Sequence, residues 1–161
     1  MVSIVIIAYH EERRLPACLW SLSEQQCKYP VEFIGVDNES KDRTAEVYTT
    51  FGIPYYTEHQ HTCGYARQCG LDQAKGKYAM CIDCDTLYPP HYIEIMVNNL
   101  MQPGVSAVAA IWSYYPDENH SKLIMKMYEF CRDIYLRLQN INRPELTVRG
   151  LAFGYYTEYD S

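Results

Sequence analysis

Residues 2–8 read V-S-I-V-I-I-A, a nearly unbroken run of apolar, mostly β-branched side chains. A strand with one solvated face alternates apolar and polar residues, whereas this run predicts a strand buried on both faces, as in a parallel sheet. Further strands are predicted at residues 31–36, 53–56, 78–82 and 105–112. Helical stretches separate them, and this alternation predicts an α/β fold in which a mainly parallel sheet lies between two helical layers.

The helical stretches are recognised by apolar residues that recur every three or four positions. The longest is predicted at residues 121–139, where the apolar side, including Leu123, Met127, Cys131 and Ile134, is expected to be buried. The other helices are predicted at residues 11–26, 43–51, 64–74 and 91–101, and the apolar, aromatic segment 148–156 favours a last strand.

The composition describes a globular domain in a reducing environment. The chain has 161 residues, of which 48% are hydrophobic and 21% charged, so one domain with a sizeable core is expected. A net charge of −6 argues against nucleic acid as a partner. Seven cysteines, no signal peptide and no apolar run long enough to span a bilayer favour a cytoplasmic location. If the chain is part of a longer protein, that protein could lie at the inner face of the membrane. The oligomeric state is not indicated.

The apolar run at 78–82 ends in the triplet Asp83-Cys84-Asp85. Residues i and i+2 of an extended chain point to the same side, so the two carboxylates can converge at the end of the strand. Converging hard oxygen donors suit Mg²⁺ or Mn²⁺, and an ion held by so few carboxylates usually shares its coordination with phosphate. The alternative for this triplet alone is a strand end followed by an acidic turn.

Three more polar clusters follow predicted strands or open a helix, at residues 9–12, 37–40 and 64–67. The carboxyl ends of the strands of an open α/β sheet line one edge, where such folds bind ligands. We therefore expect all these clusters to meet in a single crevice.

The motifs V-S-I-V-I-I-A-Y-H-E-E, G-V-D-N-E-S-K-D-R-T and G-Y-A-R-Q-C-G-L-D-Q-A-K-G-K-Y-A-M-C-I-D-C-D occur in this order. With them, the sequence resembles the nucleotide-binding half of family 2 glycosyltransferases, which are inverting enzymes with the GT-A fold. The resemblance covers residues 2–112 and extends more loosely to 153. It implies a three-layer, Rossmann-like GT-A domain over residues 1–161. In it, residues 1–112 form the nucleotide-sugar-binding part and residues 113–161 begin the acceptor part.

The resemblance also implies roles for individual positions. Tyr9 would lie against the base, Asp37 would accept a hydrogen bond from the base N3–H, and Arg67 would contact the base or the pyrophosphate. Asp85, together with Asp83, would ligate the metal. His10 stands where the family usually has Asn, and its side chain is expected to donate a hydrogen bond. The implied nucleotide-binding set is Ala8, Tyr9, Glu11, Asp37, Gly64, Arg67, Asp83 and Cys84.

The implied reaction moves a sugar from a nucleoside diphosphate sugar, UDP-type favoured, to an acceptor hydroxyl with inversion. The acceptor would be a glycan or a lipid-linked molecule in cell-surface polysaccharide or glycoconjugate synthesis. The family places a general-base carboxylate late in its fold. Since Glu158 and Asp160 stand in no matching motif, the base is expected beyond Ser161.

Three other interpretations compete with this one. Cys81 and Cys84 form a C-x-x-C, but redox thiols need a lowered pKa and the flanking carboxylates would raise it. A zinc-binding α/β domain would use His59, His61, Cys63 and Cys69 with Cys81 and Cys84. The third alternative is a non-catalytic nucleotide-sugar-binding or interaction module.

Overall fold

A computed structural model describes residues 1–110 and 153–156 of this chain, together with helical positions at 123, 126, 127, 129–131 and 134. Strands and helices alternate along it, as the apolar patterns predicted. In chain order they are β1 (Val2–Ala8), α1 (Leu15–Ser23), β2 (Val31–Asp37), α2 (Thr44–Thr50), β3 (Tyr55–Thr57), α3 (Cys63–Leu71), β4 (Tyr78–Asp83), α4 (Tyr92–Leu100), β5 (Ala107–Ala109) and β6 (Phe153–Tyr156).

The described strands form one sheet in the order β3-β2-β1-β4-β6-β5. Strands β1 to β4 are parallel to one another, whereas β6 is antiparallel to both β4 and β5. Ala8 lies opposite Asp37 on one side of β1, and Ile7 lies opposite Asp83 on the other. This register brings the carboxyl ends of β1, β2 and β4 to the same edge of the sheet.

The sheet is covered on both faces, and β1 contributes to each. Ile4 and Ile6 pack into one apolar cluster with α1, α2 and α4, while Val5 packs into another with Ala66 of α3. All three β1 side chains are inaccessible to solvent. The three-layer α/β fold is therefore confirmed, and the reason is the one read from residues 2–8: a strand without a polar face needs a layer on each side.

Some boundaries differ from the prediction. Helix α1 begins at Leu15 instead of residue 11, because residues before it form a turn in which Glu11 C=O accepts from the N–H groups of Arg14 and Leu15. Helix α3 ends at Leu71, before the predicted residue 74. Only Ala107–Ala109 of the predicted strand at 105–112 pairs as a strand, and residues 111 and 112 lie outside the described part.

The helix predicted at 121–139 is helical at its described positions, but the expected burial of its apolar side is wrong there. Leu123, Met127, Cys131 and Ile134 are all exposed, since no described element packs over them. In the described part of the chain, no helix is both long enough and apolar enough to cross a membrane.

Candidate functional site

A cleft of about 440 Å³ opens at the carboxyl edge of the parallel strands. It combines the ends of β1 and β4 with the loop that precedes α3, as the topology of the sheet requires. Predicted residues on its wall are Ala8, Tyr9, Glu11, Asp83, Cys84 and Asp85.

The two aspartates at the end of β4 differ in their surroundings. Asp85 is exposed, whereas the Asp83 side chain retains 17% of its accessible surface. One Asp83 oxygen, Oδ1, lies 3.6 Å from Nη2 of Arg67. The other, Oδ2, is buried and has no hydrogen-bond partner among the described residues. A buried carboxylate oxygen without a donor is costly, and it is the kind of atom that a cation would satisfy.

The pKa of Asp83 reflects this position. Burial raises the pKa from 3.8 to about 6, the Arg67 guanidinium offsets part of the rise, and the negative charge of Asp85 adds to it. Two carboxylates so close together are most easily kept ionised by a positive ion between them. The electrostatics of the triplet therefore fit a divalent cation.

Tyr9 lines the cleft, and the next residue, His10, lies outside its wall. The Tyr9 side chain is 51% exposed, and its ring centroid is 4.1 Å from that of His10 and 5.8 Å from that of His61. His10 adopts a left-handed backbone with φ 56° and turns away from the cleft wall. Its N–H donates to Ser40 Oγ at 2.9 Å, and its ring Nδ1 accepts from Lys41 N–H at 3.2 Å. Through these two bonds His10 ties the β1 end to the loop after β2, while its Nε2–H stays available as the expected donor.

Asp37 and Glu11 are held by local contacts. Asp37 is only 4% exposed, and both its carboxylate oxygens accept from Ser40 N–H, at 3.3 and 3.2 Å. The Glu11 carboxylate lines the cleft and pairs with Arg14 at 3.3 Å. Asp37 therefore reaches the expected edge of the sheet, but it lies behind the wall of the cleft.

Two further predicted residues, Gly64 and Arg67, also lie off the wall. Gly64 is exposed in the first turn of α3, and a Cβ added there would meet only Thr62 Oγ1, at 3.9 Å. Arg67 sits one turn further along, against Asp83. In this structure Arg67 contacts the Asp83 carboxylate and is not part of the cleft wall.

Asn38 and Ala66 bring the predicted clusters 37–40 and 64–67 to the wall, whereas Ile7, His61 and Cys63 on the wall were not predicted for the nucleotide site. Asn38 organises the loop that brings in His61, since its amide donates to the backbone carbonyls of Glu58 and Gln60 at 2.8 and 2.9 Å. The signal for this loop was available, because a parallel β3 must deliver the residues after it to the same edge.

The competing chemistries find no support in this geometry. Burial raises the pKa of the Cys81 thiol to about 12 and also raises that of Cys84, so neither thiol is activated for redox chemistry. Among the described residues, no three His, Cys, Asp or Glu side chains are grouped to hold a metal. His59 and His61 instead flank the carboxylate of Glu39, at 3.5 and 3.2 Å.

Comparisons with known proteins agree with the fold. Over 134 residues, the chain is 30% identical to an undecaprenyl-phosphate 4-deoxy-4-formamido-L-arabinose transferase of Pectobacterium carotovorum, covering 78% of this chain and 41% of that protein. A mannosyltransferase of Pyrobaculum calidifontis in complex with GDP-Man and Mn²⁺ superposes with a TM-score of 0.63 at 24% identity, covering 68% and 35% of the two chains.

A second solved structure covers nearly the whole chain. It is the glucosyl-3-phosphoglycerate synthase of Mycobacterium tuberculosis with Mn²⁺, UDP-glucose and phosphoglyceric acid. The TM-score is 0.67 at 18% identity, and the match covers 97% of this chain and 56% of that one.

The chain spans about a third of the length of curated glycosyltransferases that it matches, 32% in several cases. Residues 3–157 match the family model described as glycosyl transferase family 2. That match extends over almost the entire sequence and includes every residue of the cleft wall. The chain therefore belongs to glycosyl transferase family 2.

Proposed function

We propose that this chain is the donor-binding part of an inverting glycosyltransferase that takes a nucleoside diphosphate sugar, UDP-type favoured, together with Mg²⁺ or Mn²⁺. The observation that carries the proposal is the meeting of an exposed aromatic ring, Tyr9, with two carboxylates, Asp83 and Asp85, in one cleft. An aromatic face stacks on a base, and a metal held by carboxylates receives a diphosphate.

The donor set fits a divalent ion that is completed by its ligand. Asp83 offers a buried oxygen with no described partner, and Asp85 offers an exposed carboxylate beside it. Oxygen donors of this kind suit Mg²⁺ or Mn²⁺. When bound, the ion would neutralise charge that develops on the departing nucleoside diphosphate. Arg67 would keep Asp83 oriented through their 3.6 Å contact.

The acceptor is proposed to be a hydroxyl of a glycan or a lipid-linked molecule, in cell-surface polysaccharide or glycoconjugate synthesis. The name of the Pectobacterium relative contains the words undecaprenyl phosphate, and this supports the involvement of a lipid-linked molecule. A reducing, cytoplasmic setting is supported by the cysteines, all of which are free thiols. Residues 1–112 would carry the donor site and residues 113–161 would begin the acceptor site.

Calorimetric titration with UDP, GDP and dTDP, each with and without Mn²⁺, tests this proposal. We expect at least one of these nucleotides to bind in a Mn²⁺-dependent way, and we expect UDP to have the highest affinity. No metal-dependent binding of any of them would refute the donor site.

The metal role has its own test in Asp85→Ala. The Mn²⁺-dependent part of the nucleotide affinity should disappear while the fold persists, because Asp85 is exposed and supports no core contact. Asp72→Ala is the matched control, since Asp72 is an exposed aspartate on the far end of α3, away from the cleft wall. Equal losses in both variants, or no loss in Asp85→Ala, would contradict the role.

A further inference from the structure

Tyr88 makes an unusual contact with the backbone of Asp83, five residues before it. Its phenol oxygen accepts from Asp83 N–H at 3.1 Å, and its O–H donates to Asp83 C=O at 3.0 Å. One hydroxyl can do both, because it carries one donor and two acceptor lone pairs. The Tyr88 side chain is buried, with 6% of the residue exposed.

The contact lies at the end of β4, where, in the described part of the chain, β4 has a neighbouring strand on only one side. On one side, β1 pairs with β4 as far as Asp83. On the other side, the described part of β6 pairs with β4 only as far as Cys81. Tyr88 thus serves both backbone groups of Asp83 as a neighbouring strand would. The Cys18 thiol adds a weaker donor to the same carbonyl, at 3.7 Å.

Tyr88 is itself fixed from two directions. Its N–H donates to Ser21 Oγ of α1 at 3.1 Å. Its ring packs against that of Tyr92 in α4, with 4.7 Å between the centroids. Burial raises the pKa of the phenol far above its ordinary value, so the O–H keeps its proton, and with it the bond to Asp83 C=O, in neutral solution.

We propose that Tyr88 is a positioning residue for the metal-binding carboxylates, an inference that rests on the proposed function. By holding the Asp83 backbone at the strand end, the phenol fixes where the Asp83 side chain meets Arg67 and the cleft. Without it, the end of β4 and the turn into Asp85 lose two hydrogen bonds that set their direction.

The test compares Tyr88→Phe with Tyr92→Phe. The pair is matched, because the two rings pack against each other and both phenol oxygens are enclosed, but Tyr92 Oη has no hydrogen-bond partner among the described residues. We expect the Mn²⁺-dependent gain in UDP affinity to fall by about 10- to 100-fold in Tyr88→Phe, as for other groups that orient metal ligands. Tyr92→Phe should keep the wild-type gain, and UDP affinity without Mn²⁺ should be unchanged in both.

The outcomes separate the two proposals. A wild-type chain with no Mn²⁺-dependent affinity for UDP, GDP or dTDP overturns the proposed function and this inference with it. A wild-type gain that Tyr88→Phe retains, or that Tyr92→Phe loses equally, overturns the role of Tyr88 alone. Amide hydrogen exchange at Asp83 gives a reading independent of nucleotide: it should be faster in Tyr88→Phe than in Tyr92→Phe, and equal rates contradict the inferred support.

Discussion

Asp83 shows how the proposed metal site would lower the stability of the fold. Its carboxylate is largely buried, lies next to Asp85 and is compensated in part by one arginine, Arg67. An isolated protein domain would gain by replacing such a group with a neutral one. Retaining the charge makes sense where a cation binds, because the unsatisfied Oδ2 is then a ligand rather than a defect.

The first prediction concerns Asp83→Asn and pH. The folded-state pKa of Asp83 is about 6, against 3.8 for the unperturbed group, so the folded chain holds this proton more tightly than the unfolded one. Its contribution to stability is therefore complete below about pH 4 and is lost as the pH rises through 6. Above that range, the ionised carboxylate lowers the free energy of unfolding by roughly 1–3 kcal/mol. Asparagine keeps an acceptor for Arg67 without the charge.

Thermal unfolding without metal at pH 4 and pH 8 checks this. Asp83→Asn should melt several degrees above wild type at pH 8, with a much smaller difference at pH 4. The exposed Asp72→Asn should show no such pH dependence. If Asp83→Asn melts below wild type at pH 8, the carboxylate stabilises the apo fold and the reasoning about its burial is wrong.

At the scale of residues, sequence reasoning predicted which residues line the cleft better than it predicted the hydrogen bonds that they make. Asp83, Asp85 and Tyr9 were predicted for this edge, and they line the cleft. The bond between His10 Nδ1 and Lys41 N–H was not predicted, because it depends on the left-handed backbone of His10 and on where the loop after β2 returns. Tyr88 could not be singled out among 16 tyrosines, since its role depends on where the loop after β4 returns.

Helix α3 carries the second prediction, through two glycines with opposite surroundings. A Cβ on Gly70 would lie 2.2 Å from Val5 Cγ1 and 2.9 Å from Val36 Cγ2, both on the sheet beneath. Gly70→Ala should therefore destabilise the fold by about 1–3 kcal/mol, because this overlap with stiff buried valines exceeds the roughly 1 kcal/mol gained in helix propensity. Chemical denaturation provides the measurement.

Gly64→Ala in the same helix is the matched control. Its Cβ would meet only Thr62 Oγ1 at 3.9 Å, so the stability should stay equal or rise slightly. If Gly64 allows a ligand to approach the backbone, this variant should weaken nucleotide binding although its stability is unchanged. If Gly70→Ala is as stable as wild type, α3 can move away from the sheet without cost, and the close contact of Gly70 with Val5 and Val36 does not restrict this position.

At the scale of elements, the local patterns predicted the parallel strands and their helices well. Periodicity is a local property, and residues 2–8 already required covered faces on both sides. The insertion of antiparallel β6 between β4 and β5 was not predicted. Its place depends on pairing with residues far away in sequence, which no local pattern records. The late start of α1 follows similarly from a loop, residues 9–14, whose polar contacts cross to the β2–α2 connection.

For the whole molecule, charge bears on how the cleft would admit the proposed anionic ligand. The chain carries a net charge of −6, and Glu11, Asp83 and Asp85 all line the cleft. A diphosphate approaching this wall meets like charge, so the balance must come largely from the ion that accompanies it. Arg67 cannot supply it alone, because it already faces Asp83.

The last prediction follows from this balance and concerns the melting temperature. A ligand that binds only the folded state stabilises it by about 2.7 kcal/mol at one hundred times its dissociation constant, which corresponds to roughly 5–10 °C for a chain of this size. UDP should produce such a shift only when Mn²⁺ is present, and EDTA should abolish it. Mn²⁺ alone should give a small shift, since two carboxylates hold the ion weakly without phosphate. An equal shift with UDP in EDTA would mean that protein groups by themselves neutralise the diphosphate, and the metal would then have no necessary place in donor binding.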